Sequence, residues 1–190
     1  MKRIVIFASG SGTNAENLIK FFHNRENASV IQVLTDNPHA KVIERCNLLK
    51  VSCLSFNKIA FYSANHVLDI LKNIKPDLII LAGFLWKFPE SILNEFPNKV
   101  INVHPALLPK YGGKGMYGMH VHEAVVANKE AETGITIHYV NEHYDEGAII
   151  FQAKCTVDDS DTANDVASKI HELEMEYFPK VVESILFPDE

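Results

Sequence analysis

The chain has 190 residues, 47% of them hydrophobic, with 18 basic against 24 acidic residues and a net charge of −6. This length and apolar content suffice for one full core, so we predict that residues 1–190 form a single domain. The scattered basic residues argue against nucleic acid as a partner. The three cysteines form no Cys-x-x-Cys pair, which indicates reduced thiols. No apolar run suits a signal peptide or a membrane span, so the sequence predicts a soluble cytoplasmic protein.

Strand-like and helix-like segments alternate along the first hundred residues. The apolar run RIVIFA at 3–8 precedes a segment whose apolar residues share one helical face. The same alternation recurs as SVIQVLT before AKVIERCNLLK, VSCLSF before ANHVLDILKNI, PDLIILAG before PESILNEF, and finally KVINV. Strands that are apolar on both faces and separated by helices predict a parallel sheet covered on both sides.

The pattern changes after Thr133. TGITIHYV and GAIIFQAKCTV are separated only by NEHYDE, which is too short for a helical crossover, so these strands should pair antiparallel. A last helix is predicted to begin near Asp161 and Thr162 and to pack on the sheet. The predicted fold is α/β: a single-domain, Rossmann-like, mostly parallel twisted sheet with helices on both faces and an antiparallel strand near the C-terminal part.

A glycine-rich turn follows the first strand, in ASGSGTNAENL. Sheets of this kind bind ligands at the carboxyl ends of their strands. Gly10 and Gly12 let the backbone approach an anion, and the amides at the start of the next helix favour negative charge. The turn therefore predicts phosphate binding at Gly12, Thr13 and Asn14. Thr13 or Asn14 can equally serve only as the helix N-cap.

The same turn also permits two other functions. Gly10, Gly12 and Ala15 fit the dinucleotide fingerprint, and Asp36 ends the second strand at about the spacing that a ribose-binding acid requires. A nicotinamide oxidoreductase is therefore one alternative. A nucleotide-binding module without catalytic activity is another.

Polar residues end the strand in KVINVHPALLPKYG. Asn102 and His104 are two positions apart, so a strand directs both side chains to one face. Asp145, in NEHYDEG, can approach the same strand ends and act on the imidazole. An amide, an imidazole and a carboxylate suit acyl transfer, and these motifs hold no serine or cysteine nucleophile, so the attacking group should belong to the substrate. Taken singly, each residue can instead be a turn former or a satisfied core residue.

NVHPALLPKYGG, with GSGTN before it, LAGF at 81–84 and DEG after it, resembles the phosphoribosylglycinamide formyltransferases of purine biosynthesis. The resemblance covers essentially the whole chain in order. It implies transfer of a formyl group from 10-formyltetrahydrofolate to the glycyl amine of a phosphoribosyl substrate. It also places the catalytic residues at Asn102, His104 and Asp145, and the phosphate loop at Gly12, Thr13 and Asn14.

The resemblance implies further contacts. FLWKF at 84–88 resembles the segment beside the pterin and formyl end of the folate, and YVNEHYDEG resembles the folate-binding loop. Glu174 corresponds to an acid near the phosphoribosyl substrate, and the long loop KYGGKGMYGMHVHEAV places Gly115 and Met116 at that substrate. The implied folate contacts are Leu85, Trp86, Lys87, Val140, Asn141 and Glu142.

The predicted mechanism is direct attack of the amine on the formyl carbon, without a covalent enzyme intermediate. Asn102 and protonated His104 stabilise the oxyanion, and Asp145 keeps His104 cationic. Methionyl-tRNA formyltransferase is a further alternative, since its catalytic core is similar, but it carries an additional C-terminal domain. The partners are expected to be small molecules, with no metal at HVHE (120–123), no nucleic acid and no membrane. A monomer or weak homodimer is expected.

Overall fold

The computed structural model describes residues 1–188. Seven strands form one sheet in the order β3-β2-β1-β4-β5-β6-β7. The first five strands are parallel, whereas β6 pairs antiparallel with both β5 and β7. The strands are β1 (Lys2–Phe7), β2 (Ala28–Thr35), β3 (Cys53–Ser55), β4 (Leu78–Leu81), β5 (Val100–His104), β6 (Glu132–Tyr139) and β7 (Ile149–Thr156).

Six α-helices connect or follow these strands. They are α1 (Thr13–His23), α2 (Val42–Leu49), α3 (His66–Ile74), α4 (Glu90–Glu95), α5 (Met119–Ala127) and α6 (Ala163–Leu186). Helix α6 begins at a capping box, in which Thr162 and Asp165 exchange side-chain and backbone hydrogen bonds. Within the described residues, no helix is both long enough and apolar enough to cross a membrane.

The sheet has a buried apolar layer on each face. One layer joins α1, α5 and α6 to the sheet and includes Ile4, Leu18 and Phe178. The other includes Phe7, Phe61, Leu71 and Ile92, and covers the opposite face. Alternate residues of β1 therefore contribute to opposite layers, as expected for a strand that is buried on both sides.

The predicted fold class is confirmed, including the antiparallel pairing of TGITIHYV with GAIIFQAKCTV. One element has no counterpart in the sequence interpretation: a π-helical turn at Ile59–Ser63, just before α3. The strand order starts from β1 and runs outward in both directions, through β2 on one side and β4 on the other. Because the chain connections on the two sides of β1 run in opposite directions, a crevice forms at the carboxyl ends of the central strands.

Candidate active site

A pocket of about 830 Å³ opens at the carboxyl ends of β1, β4 and β5. Ten of the predicted site residues line it: Gly12, Thr13, Asn14, Leu85, Asn102, His104, Gly115, Met116, Asp145 and Glu174. These residues come from six separate stretches of the chain. The fold thus brings the predicted catalytic trio and the glycine turn to the same cavity.

His104 is the last residue of β5, and its imidazole is buried at this pocket. Nε2 lies 2.7 Å from the carbonyl oxygen of Tyr111. Because a carbonyl oxygen only accepts hydrogen bonds, Nε2 carries a hydrogen and donates it. Nδ1 is then the nitrogen left for chemistry, and it lies 3.6 Å from Oδ2 of Asp145. The ring is held in one orientation with a single reactive nitrogen.

Asp145 reaches the pocket from the turn between β6 and β7, where its backbone φ is 56°. The turn is tight at Gly147, since a Cβ there would lie 1.6 Å from the carbonyl oxygen of Tyr139. Oδ2 of Asp145 accepts a hydrogen bond of 2.9 Å from the backbone N–H of Gly113. Oδ1 lies 3.6 Å from Nε2 of His138. A strained backbone conformation thus places the carboxylate between two imidazoles.

Asn102 has a partner that the sequence interpretation missed. His138 lies directly opposite Asn102 in the β5–β6 ladder, and Nδ2 of Asn102 is 3.1 Å from Nε2 of His138. Nδ1 of His138 donates to the carbonyl oxygen of Tyr139 at 2.8 Å, and in the tautomer with its hydrogen on Nδ1 alone, Nε2 accepts from the amide. One hydrogen on Nδ2 of Asn102 is used in this way, and the second remains available to a ligand.

The loop after His104 is fixed from β6. The hydroxyl of buried Thr136 donates to the carbonyl oxygen of Ala106 at 2.7 Å and accepts from the N–H of Leu108 at 3.0 Å. Gln152 on β7 donates to the same hydroxyl and to the carbonyl oxygen of Leu108. The segment that carries Pro105 and Tyr111 past the imidazole is therefore held by side chains from two strands.

Charges and burial lower two pKa values in the site. Burial lowers the pKa of His104, and the carboxylate of Asp145 and the carbonyl of Tyr111 oppose this shift only in part. Burial alone would raise the pKa of Asp145, but His138, His104 and the N–H of Gly113 outweigh it and hold that pKa below the usual carboxyl value. The lowered pKa favours a neutral His104 beside an ionised Asp145, rather than the cationic His104 of the predicted mechanism.

The glycine turn ends at the N-terminus of α1. Gly12 is the N-cap residue, with a φ of 73°, and Thr13 and Asn14 lie inside the first turn. The alternative that Thr13 or Asn14 serves only as the N-cap is thus wrong. The N–H groups of a first helical turn have no partners within the helix, and here the three residues line the pocket. Their amides and the helix dipole favour an anion.

Asn14 connects this turn to the last helix. Its Nδ2 donates to Oε2 of Glu174 at 2.9 Å, while its buried Oδ1 has no hydrogen-bond partner among residues 1–188. His171, one turn earlier on α6, lies 3.8 Å from the same carboxylate oxygen. The carboxylate of Glu174 raises the pKa of His171, which also lines the pocket. Sequence reasoning missed His171, although its three-residue spacing from Glu174 is the signal that would have identified it.

Five of the implied folate contacts lie outside the pocket lining of residues 1–188. Trp86 is half-buried against Phe56 and Tyr62, and Lys87 is exposed. Val140 packs against the second core layer. Asn141 accepts the N–H of His143, and Glu142 is exposed beside His143. Tyr144, which was not predicted as a contact, lines the pocket together with Leu85.

The two histidines of HVHE both lie on α5. His120 is exposed, whereas His122 is buried and lines the pocket, with no hydrogen-bond partner at Nδ1 among the described residues. Burial lowers the pKa of His122. Within residues 1–188, no group of three or more histidine, cysteine or acidic side chains is placed to hold a metal ion.

The fold and the site define a group-transfer enzyme, in which the N-terminus of α1 adjoins an amide, an imidazole and a carboxylate at the ends of the strands. The family model described as formyl transferase matches residues 2–182. The chain therefore belongs to the formyl transferase family, and the relatives that it resembles are phosphoribosylglycinamide formyltransferases.

Three comparisons illustrate the similarity. The chain is 34% identical to the phosphoribosylglycinamide formyltransferase of Bacillus subtilis (strain 168), over 98% of this chain and 95% of the relative. It is 32% identical to the chloroplastic enzyme of the same name from Arabidopsis thaliana, over 97% of this chain and 65% of the relative. The crystal structure of glycinamide ribonucleotide transformylase 1 from Geobacillus kaustophilus has a TM-score of 0.88 at 33% identity, covering 98% of this chain and 99% of that one.

Proposed function

We propose that the protein transfers the formyl group of 10-formyltetrahydrofolate to the amine of 5′-phosphoribosylglycinamide, giving formylglycinamide ribonucleotide and tetrahydrofolate in purine biosynthesis. The observation that supports this proposal is that the trio Asn102, His104 and Asp145 lines the same pocket as Gly12, Thr13 and Asn14 at the N-terminus of α1. A phosphorylated amine can anchor its phosphate at one end of this pocket. Its amine then lies near the trio at the other.

The chemistry follows from the hydrogen-bond inventory of the trio. The neutral glycyl amine attacks the formyl carbon, and the free Nδ2 hydrogen of Asn102 stabilises the oxyanion that forms. Nδ1 of neutral His104 accepts the amine proton, and the ionised Asp145 stabilises the resulting imidazolium. His104 then donates this proton to N10 of the folate as the bond from N10 to the formyl carbon breaks. No covalent enzyme intermediate is required.

The remaining predicted contacts extend the proposal to both substrates. The amides of Gly12, Thr13 and Asn14 would bind the phosphate, with Glu174, Gly115 and Met116 beside the rest of the phosphoribosyl substrate. The folate would lie along Leu85, Trp86 and Lys87 and the turn of Val140, Asn141 and Glu142. Since Leu85 is the one of these six that lines the pocket, the others would contact the folate at the pocket rim.

Several predictions from the sequence are kept as part of this proposal. They are a single formyltransferase domain at residues 1–190, small-molecule partners only, a cytoplasmic location, and a monomer or weak homodimer. Catalysis without a metal is likewise retained as a prediction.

The test is a reconstituted reaction with purified protein, 10-formyltetrahydrofolate and phosphoribosylglycinamide. We expect stoichiometric formylated ribotide, identified by mass spectrometry, together with tetrahydrofolate. In a parallel reaction, methionyl-tRNA replaces the ribotide as the alternative formyl acceptor. Formylation of the tRNA alone, or no formyl transfer to either acceptor, would contradict the proposed function.

A further inference from the structure

Tyr62 lies in the π-helical turn Ile59–Ser63 and contacts the segment of residues 84–88, which we call the folate segment. Its hydroxyl donates a hydrogen bond of 2.8 Å to the carbonyl oxygen of Lys87. Its ring stacks on Trp86 with a centroid distance of 6.1 Å and an interplanar angle of 27°. Tyr62 therefore contacts both the backbone and a side chain of this segment.

The π-helical turn holds Tyr62 in a fixed direction. The preceding side chain in the turn, Phe61, is fully buried and packs against Phe7, Phe84 and Phe88. Single-turn π-helices occur frequently at functional sites, where the extra residue redirects a side chain. Here the turn directs one aromatic ring into the core and the next onto the folate segment.

The folate segment has no helix or strand of its own and depends on side chains at both ends. Near its start, the N–H of Leu85 donates to Oγ of Ser9 at 3.0 Å, and Ser9 itself lines the pocket. Near its end, the carbonyl oxygen of Lys87 accepts from Tyr62. Leu85 and Trp86 lie between these two attachments. An irregular segment fixed at both ends presents one conformation to a ligand.

The exposure of Tyr62 separates a positioning role from a role in stability. The residue is 44% exposed, and Lys87 is exposed as well. Without the tyrosine hydroxyl, water can hydrogen-bond the carbonyl oxygen of Lys87, so no buried polar group is left unsatisfied. Loss of this bond should thus cost little folding stability while freeing the end of the folate segment.

We infer that Tyr62 is a positioning residue for the folate co-substrate, acting through the backbone of Lys87 and the ring of Trp86. This inference rests on the proposed function and adds a residue to it. The effect belongs to folate binding alone, because the catalytic trio and the phosphate loop do not contact Tyr62 through any hydrogen bond of the described residues.

The test is Tyr62→Phe, which removes the hydroxyl and keeps the ring. We expect the KM for 10-formyltetrahydrofolate to rise by about three- to tenfold, as for the loss of one hydrogen bond, with kcat and the KM for phosphoribosylglycinamide unchanged. Calorimetry with tetrahydrofolate, the reaction product, should show a matching rise in Kd. The matched control is Tyr177→Phe, at a half-buried tyrosine on α6 that packs against Phe151 in the other core layer.

Two results would overturn the inference while leaving the proposed function intact. One is an unchanged folate KM in Tyr62→Phe. The other is an equal rise in both KM values with a lowered melting temperature, which would mean a purely structural role. Wild-type protein that neither transfers the formyl group nor binds tetrahydrofolate would instead refute the proposed function, and this inference with it.

Discussion

Nδ1 of His104 and Oδ2 of Asp145 are 3.6 Å apart, a distance beyond a direct hydrogen bond but well within electrostatic range. The opposite ring nitrogen is already engaged by Tyr111. The carboxylate therefore affects the imidazole chiefly when Nδ1 gains a proton. We interpret the pair as a base and the group that stabilises its conjugate acid.

Asp145→Asn should lower kcat by about a hundredfold, because the imidazolium formed at His104 loses its stabilising charge. The asparagine oxygen can still accept the N–H of Gly113, so the loop should keep its place. The pKa of His104, followed by NMR titration, should fall further. Glu146→Gln is the matched control, since Glu146 is the exposed neighbouring acid. Near-wild-type kcat in Asp145→Asn would remove the carboxylate from the mechanism.

The pH dependence should reflect the lowered pKa of His104. As the pH falls below the ordinary histidine value of about 6.5, the unfolded chain takes up a proton that folded His104 does not, so folding stability decreases until the pH reaches the folded pKa. Over the same range His104 stays a competent base. The acidic limb that His104 contributes to kcat/KM should therefore lie below pH about 6.5, apart from the limb that protonation of the substrate amine adds near its own pKa of about 8.

This pH prediction is checked by a kcat/KM profile together with NMR titration of His104. Exposed His66, at the start of α3, supplies the control variant His66→Gln, which should leave the profile unchanged. A kcat/KM that falls as His104 loses its proton, at the pKa found by NMR, would mean that His104 acts from its protonated form.

The two glycines of the glycine turn, Gly10 and Gly12, should respond differently to substitution by alanine. A Cβ at Gly12 would lie 2.4 Å from Cγ2 of Val42, and the φ of 73° disfavours any side chain, whereas a Cβ at Gly10 meets nothing within 4 Å. Gly12→Ala should therefore lower the free energy of unfolding by roughly 1–3 kcal/mol. Gly10→Ala should leave it almost unchanged.

Thermal unfolding of both variants checks this prediction, and Gly12→Ala combined with Val42→Ala should recover part of the loss. Equal melting temperatures for the two single variants would show that the contact with Val42 does not restrict Gly12. The KM for phosphoribosylglycinamide, measured at a temperature where both variants are folded, reports phosphate binding separately.

The sequence predicted the strands and the meeting of Asn102, His104 and Asp145 because local patterns indicate where each lies. Asn102 and His104 share a face through the two-residue period of a strand, and Gly147, two residues after Asp145, indicates a turn. His138 was missed because its role depends on the antiparallel register that places it opposite Asn102. Register is set by long-range pairing, which a single strand pattern does not reveal.

The protonation of His104 could not be predicted for a similar reason. The direction of the pKa shift of His104 depends on the balance between its burial and its distance from Asp145. Neither quantity can be read from the sequence. The π-helical turn that carries Tyr62 was also missed. The segment IAFYS has the composition of an ordinary helical turn, and only its backbone hydrogen-bond spacing differs. The burial of Phe61 in the core accompanies this spacing and is not visible in the sequence.

Asp36 should be dispensable for catalysis. Although Gly10, Gly12, Ala15 and Asp36 fit a dinucleotide pattern, Asp36 does not line the pocket of the described residues. Asp36→Asn should keep wild-type formyl transfer, and NAD or NADH should give no thermal shift, whereas phosphoribosylglycinamide should stabilise the protein. Stabilisation by NAD that disappears in Asp36→Asn would instead support a nicotinamide enzyme.

Glu174→Gln should weaken binding of the phosphoribosyl substrate in particular. The carboxylate accepts from Asn14, in the phosphate loop, and raises the pKa of His171. The glutamine oxygen can still accept from Asn14, but the phosphoribosyl substrate would lose a charged acceptor for its hydroxyl groups, and the pKa of His171 would return toward the ordinary histidine value. We expect the KM for phosphoribosylglycinamide to rise on the order of tenfold, as for the loss of a charged hydrogen bond, with kcat and the folate KM unchanged.

Steady-state kinetics with each substrate varied in turn checks the prediction for Glu174→Gln. The control is Glu172→Gln, at an exposed acid on the same helix. A rise confined to the folate KM would assign Glu174 to the other substrate.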